Sequence, residues 1–122
     1  MALISMAVHD TEENGRTAFT RRTLDCLYDT VSIKHQIFIV DNNSCEETKE
    51  LLLVFKNRCD NNSGTMPVNI ITLPSNIGTA EALNLAWKYR LPGEHCIKID
   101  NDVVIHQSGW VEQMEEAIQR DR

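Results

Sequence analysis

The 122-residue sequence predicts an α/β protein with a mainly parallel sheet. Four short apolar runs, three of them rich in Ile and Val, have the length of buried strands. The segments between them repeat apolar residues at helical spacing, and such alternation builds βαβ units with right-handed crossovers. Each run also ends in a polar cluster, the pattern expected when strands point the same way.

Taken in order, "ALISMAV" (2–8) is the first strand, and Phe19, Leu24, Leu27 and Val31 then mark one face of a helix. "HQIFIVD" (35–41) is the second strand. The helix after it, "SCEETKELLLVFKN", opens with Ser44 and Glu47 at the spacing of a capping box, in which the two side chains satisfy free backbone N–H groups. "CDNNSGTMP" (59–67) is a polar turn leading to "VNIITL" (68–73), the third strand. "TAEALNLAWKY" places Ala80, Leu83 and Trp87 on one helical face, and Pro92-Gly93 stops it. "HCIKID" (95–100) is the fourth strand, followed from about Ser108 by a helix with Trp110, Met114 and Ala117 or Ile118 inward. These elements imply a Rossmann-like three-layer αβα arrangement, with residues 1–122 as a single domain.

Composition narrows the class. Hydrophobic residues at 42% and charged residues at 25% are those of a folded globular chain. The net charge of −6 disfavours nucleic acid as a partner, since a phosphate backbone needs a basic face. No apolar run reaches the roughly 18–20 residues of a membrane span. Cys26, Cys45, Cys59 and Cys96 form no C-x-x-C pair, so zinc and thioredoxin-like chemistry lack support; the even count is compatible with an extracellular disulfide framework, and the favoured reading is buried or idle thiols in a reducing cytoplasm. Cytoplasmic placement, or peripheral attachment to a membrane in the full-length protein, is the matching expectation. His9, His35, His95 and His106 are scattered, and Trp87 and Trp110 read as core residues of their helices.

The polar clusters are His9-Asp10, "DNNS" (41–44), "PSNIG" (74–78) and "DND" (100–102). In open α/β sheets ligands bind outside the carboxyl ends of the strands, so the four clusters together indicate a shared site. Each also has a plainer reading. Asp41 and its asparagines form a turn whatever the function, or Asp41 accepts a hydrogen bond from a planar N–H such as that of a pyrimidine. Gly78 makes a tight turn into a helix, or that turn's N–H groups and Asn76 meet a phosphate or sugar. It belongs to neither a G-x-G-x-x-G nor a P-loop pattern. Asp100 and Asp102 are solvated strand-end acids, or they hold Mn²⁺ or Mg²⁺, which prefer oxygen ligands and often bind one or two carboxylates plus substrate phosphates. Lys98, one strand repeat from Asp100, serves an anion or carries its stem along a partly open sheet.

In this order, "ISMAVHD", "IFIVDNNS", "LPSNIGTAEALNLAWK", "IKIDNDVV" and "SGWVEQMEEAI" resemble the N-terminal nucleotide-binding half of a GT-A fold glycosyltransferase of the family-2 pattern. The resemblance covers nearly the whole chain. It implies that Asp41 contacts uracil or another base, that Asp100 reaches the ribose or the metal through water, and that Asp102 ligates the metal directly. It implies further that Asn76, Gly78 and Thr79 line the nucleotide cleft, with Ala7, His9 and Asp10 as its lip. "AVHDTEENGR" departs there from the Pro-Thr-Tyr-Asn-like residues usual in the family. The donor would be a UDP- or GDP-type nucleotide sugar, and the acceptor a glycan, lipid or protein hydroxyl. The catalytic carboxylate base is expected beyond Arg122, so the acceptor-binding half is absent, and the fourth strand keeps an open edge that invites self-association.

Two other readings use the same residues. A haloacid-dehalogenase-type phosphohydrolase would take Asp100 as nucleophile, but that motif belongs on the first strand of its fold. A non-catalytic α/β module would use its sheet edge to bind a partner.

Overall fold

The computed structural model describes residues 1–120. Strands β1 (Ala2–Val8), β2 (Gln36–Asp41), β3 (Val68–Thr72) and β4 (His95–Ile99) alternate with helices α1 (Thr17–Thr30), α2 (Glu46–Asp60), α3 (Thr79–Trp87) and α4 (Trp110–Arg120). All strand pairs are parallel, in the order β3-β2-β1-β4. The Rossmann-like three-layer architecture expected from the sequence is the one observed.

Side chains alternate strictly across the sheet. Ile4, Met6 and Val8 of β1, Ile37 and Ile39 of β2, and Ile97 and Ile99 of β4 face Leu24 and Leu27 of α1, Leu52 and Phe55 of α2, and Trp110 and Val111 of α4. Leu3, Phe38 and Val40 face the other way, against Ala82 and Ala86 of α3. Central β1 is thus covered on both sides, which accounts for its unbroken apolar run. The split of helices between layers follows from handedness. Two successive crossovers step outward from β1 to β2 to β3 and leave α1 and α2 on one face. The third returns past β1 to β4, and a right-handed path then requires α3 on the opposite face.

Several helical faces differ from the sequence expectation. Phe19, Trp87 and Met114 are 41%, 39% and 44% exposed. In α1 the inward stripe is Thr20, Thr23, Leu24 and Leu27, because the threonine hydroxyls find buried acceptors: Thr23 donates to the Val103 carbonyl at 2.8 Å. In α3 the buried residues are Ala82, Leu83 and Ala86, while Ala80 is exposed. Trp87 is half exposed and donates its indole N–H to Ser5 Oγ of central β1 at 2.9 Å. The capping box does not form. Cys45 is the α2 N-cap without a side-chain cap bond. Ser44 is drawn instead to β1, where its Oγ accepts from the Asp10 N–H at 3.1 Å and reaches the Val8 carbonyl at 3.3 Å. β4 is an edge strand, so Lys98 is half exposed and pairs with Asp100 at 3.1 Å. All four cysteines are free thiols.

Candidate nucleotide-sugar site

The register aligns the strand ends. Val8 pairs with Asp41, Asp41 with Thr72, and Met6 with Ile99, so the segments after all four strands emerge on one rim. The chain reverses its direction across the sheet between β1 and β4, and crevices in open α/β sheets form at such a switch point. The 100–102 turn lies there.

Asn101, the middle residue of that turn, faces inward. It is 8% exposed, and its amide donates to Asp10 Oδ1 at 3.0 Å and to Thr20 Oγ1 at 2.9 Å. Asp10, which the resemblance places on the lip of the cleft, is fully buried instead. Its other oxygen accepts from Thr20 Oγ1 at 2.5 Å and Thr48 Oγ1 at 2.9 Å. These bonds satisfy a carboxylate that has no access to water, and they tie β1, α1, α2 and the 100–102 turn together. With Asn101 anchored, its neighbours turn outward. Asp100 and Asp102 have side-chain exposures of 62% and 47%. Arg16 bridges the turn, with its guanidinium 3.2 Å from Asn101 Oδ1 and 3.2 Å from Asp102.

On the other side of β1 a cleft of about 230 Å³ is lined by Ala7, Val8, His9, Asn42, Asn76, Gly78 and Thr79. Asn42 is buried and forms its wall, accepting from the Ile77 N–H at 3.1 Å and donating to the Gly78 carbonyl at 3.1 Å. Asn76 Oδ1 accepts from the Gly78 N–H at 3.0 Å. Gly78 has φ 88, a conformation that side chains rarely adopt, and it serves as the N-cap of α3. His9 Nδ1 lies 2.7 Å from the Asn42 carbonyl. A carbonyl only accepts, so this nitrogen carries the proton, and in the neutral ring Nε2 remains an acceptor.

Asp41 does not join this cleft. Successive strand residues face opposite ways, and Asp41 shares its side with Ile37 and Ile39, towards α2. It is 1% exposed, and its oxygens accept from the Ser44 N–H at 2.8 Å and from Lys49 Nζ at 3.0 Å. Both Asp41 oxygens are thus engaged within the fold, and Asp41 is not among the residues that line this cleft. The same period-2 alternation, carried one residue further, points to Asn42 as the cleft residue. Arg16, Thr20 and Thr48 also escaped the sequence reading. A threonine at every third position of the inward face of α1 is the one signal that could have raised Thr20.

A larger cleft of about 420 Å³ lies between the 11–13 loop and the start of α2, bordered by Glu12, Glu13, Glu46, Glu47 and Lys49. Four carboxylates against one amine make it a poor receptor for a diphosphate. Among the described residues no three His, Cys, Asp or Glu side chains converge as a metal site. The exposed pair Asp100 and Asp102 nonetheless fits a hard divalent cation: both offer only oxygen, both face solvent, and a two-carboxylate site leaves positions for phosphate oxygens.

The model of the family described as glycosyl transferase family 2 matches residues 14–122. The chain belongs to that family. No curated protein matches the chain closely enough to add to this. Among solved structures, a mannosyltransferase from Pyrobaculum calidifontis, PcManGT, in complex with GDP-Man and Mn²⁺, is similar with a TM-score of 0.72 and 16% identity over 88% of this chain and 29% of that one. TarS 1-349 from S. aureus is similar with a TM-score of 0.73 and 17% identity over 98% of this chain and 33% of that one. The same TarS fragment in complex with UDP gives 0.70 and 17% over 98% and 32%. The family-2 chain therefore spans about a third of the length of the structures it matches, and at these identities the likeness speaks for its GT-A fold. Family membership also removes the dehalogenase reading, since the D-x-D turn follows the last strand of this sheet rather than the first.

Proposed function

We propose that residues 1–122 form the donor-binding unit of a glycosyltransferase that moves a sugar from a UDP- or GDP-type nucleotide to a hydroxyl of a glycan, lipid or protein. One observation carries the reading: the Ala7–His9–Asn42–Asn76–Gly78–Thr79 cleft and the outward carboxylates of the 100–102 turn flank the end of β1 on one rim. Family membership supports it, as do the GDP-Man and Mn²⁺ of one similar structure and the UDP of another.

In this reading the base and ribose lie in the cleft. His9 Nε2 offers an acceptor, Thr79 a hydroxyl, and the Asn42 and Gly78 lattice holds the wall rigid. Asp41 acts from behind by fixing the 41–44 turn. Asp102 would ligate Mn²⁺ or Mg²⁺ directly, with Asp100 beside it or acting through water. When bound, the cation supplies Lewis-acid neutralisation of the charge that builds on the departing nucleoside diphosphate. Buried Asn101 keeps the two carboxylates directed outward. We assign the general base to none of these residues.

Calorimetry with UDP and GDP, with and without Mn²⁺, tests the reading. Mn²⁺-dependent binding of one of the two is expected, and Asp102→Ala should weaken it by about tenfold or more, as loss of a metal-holding group does. Equal affinities for wild type and variant would instead favour the non-catalytic module.

A further inference from the structure

Each outward carboxylate of the 100–102 turn meets a cationic side chain, Lys98 at Asp100 and Arg16 at Asp102, and of the two only Arg16 is also bonded to buried Asn101. The Arg16 backbone N–H donates to Asn14 Oδ1 at 3.1 Å, its guanidinium donates to buried Asn101 at 3.2 Å and pairs with Asp102 at 3.2 Å, and it lies 5.7 Å from the centre of the Phe19 ring. Phe19, exposed although apolar, thus provides a platform for a guanidinium that is oriented before any ligand arrives.

We propose that Arg16 is a positioning residue that exchanges partners when donor binds. It holds Asp102 in the free protein, yields that carboxylate to the incoming cation, and turns its fork to the diphosphate. The inference rests on the nucleotide-sugar reading and deepens it by naming a residue that reading did not contain. The chemistry follows from charge. A guanidinium on Asp102 competes with a divalent cation for the same oxygens and repels it. Once Asp102 is taken, the nearest strong acceptors are phosphate oxygens, which match the planar fork. Asn101 and Phe19 confine the movement to the end of the side chain.

The exchange predicts effects of opposite sign from one substitution. In Arg16→Gln, Mn²⁺ alone, followed by the electron paramagnetic resonance signal of the free ion, should bind about two- to fivefold tighter, because an exposed ion pair no longer competes. UDP or GDP measured by calorimetry at saturating Mn²⁺ should bind about tenfold weaker, because a charge-assisted contact to the diphosphate is lost. Arg58→Gln removes the same charge from α2, where Arg58 pairs with Asp25 at 3.3 Å, and should move neither affinity. A merely structural role for Arg16 would weaken both ligands together, and that result, or no change in either, overturns the exchange while leaving the nucleotide-sugar reading intact. A wild-type protein that binds neither Mn²⁺ nor nucleotide overturns that reading, and the exchange with it.

Discussion

Removing a carboxylate that has no exposed surface leaves its donors unpaired, and Asp10 is such a group: Thr20, Thr48 and Asn101 all donate to it. Asp10→Ala is expected to cost about 3 kcal/mol, seen as a lower urea midpoint with an unchanged slope. Gly78→Ala should cost about 1 kcal/mol or somewhat more, because φ 88 is strained for any side chain although nothing lies within 4 Å of an added Cβ. Its thermal midpoint would fall, and with it the affinity for nucleotide if the turn borders the donor. These two residues mark what the sequence could and could not disclose. A lone glycine between a strand and a helix announces its turn. An aspartate after a strand looks like a surface ligand, and only the threonines brought to it from two helices make it a scaffold. Arg16 was hidden in the same way, since 85 positions separate it from Asn101 and no spacing rule connects them.

Among the elements, α4 is tied to the opposite end of the sheet by ionisable groups. Glu115 receives a hydrogen bond from His95 at 2.9 Å, and Glu112 lies 3.3 Å from both His35 Nε2 and Ser32 Oγ. Burial alone would raise both carboxyls. For Glu115 the His95 contact and the N-terminal amine outweigh it, and for Glu112 its own backbone N–H and the His35 contact do so, so both are held below the usual glutamate range. A carboxyl depressed on folding stabilises the fold above its unfolded value, here 4.5, and loses that contribution as pH falls through the folded value. Acid titration should therefore lower the melting temperature of the wild type more steeply than that of Glu115→Gln, as followed by circular dichroism. Element type and order were legible because period and length distinguish strands from helices. Helix faces were less so. Phe19 serves guanidinium groups, and Ser44 abandoned its cap for β1, which are choices that tertiary neighbours impose on locally reasonable patterns.

At the scale of the whole molecule, one architectural rule did most of the predicting. Parallel strands must end on the same edge, so the convergence of four distant polar clusters followed from the sheet alone, whereas the direction of each side chain at that rim did not. Among the described residues the sheet has unpaired edges at β3 and β4. Lys56 covers part of the first by donating to the Val68 carbonyl at 2.8 Å, and Lys98 places a charge on the second. Sedimentation of the 122-residue chain should show association that rises with concentration and persists at high salt, because main-chain hydrogen bonds would carry it. The position of β1 has a further consequence, in time rather than space. Of the four strands it leaves the ribosome first, yet its flank opposite β2 stays bare until β4 has been made, and the bond from Asn101 to Asp10 closes across 91 positions. Nascent chains halted before residue 95 should stay bound to chaperones and digest readily, and protection should appear abruptly once the fourth strand has emerged.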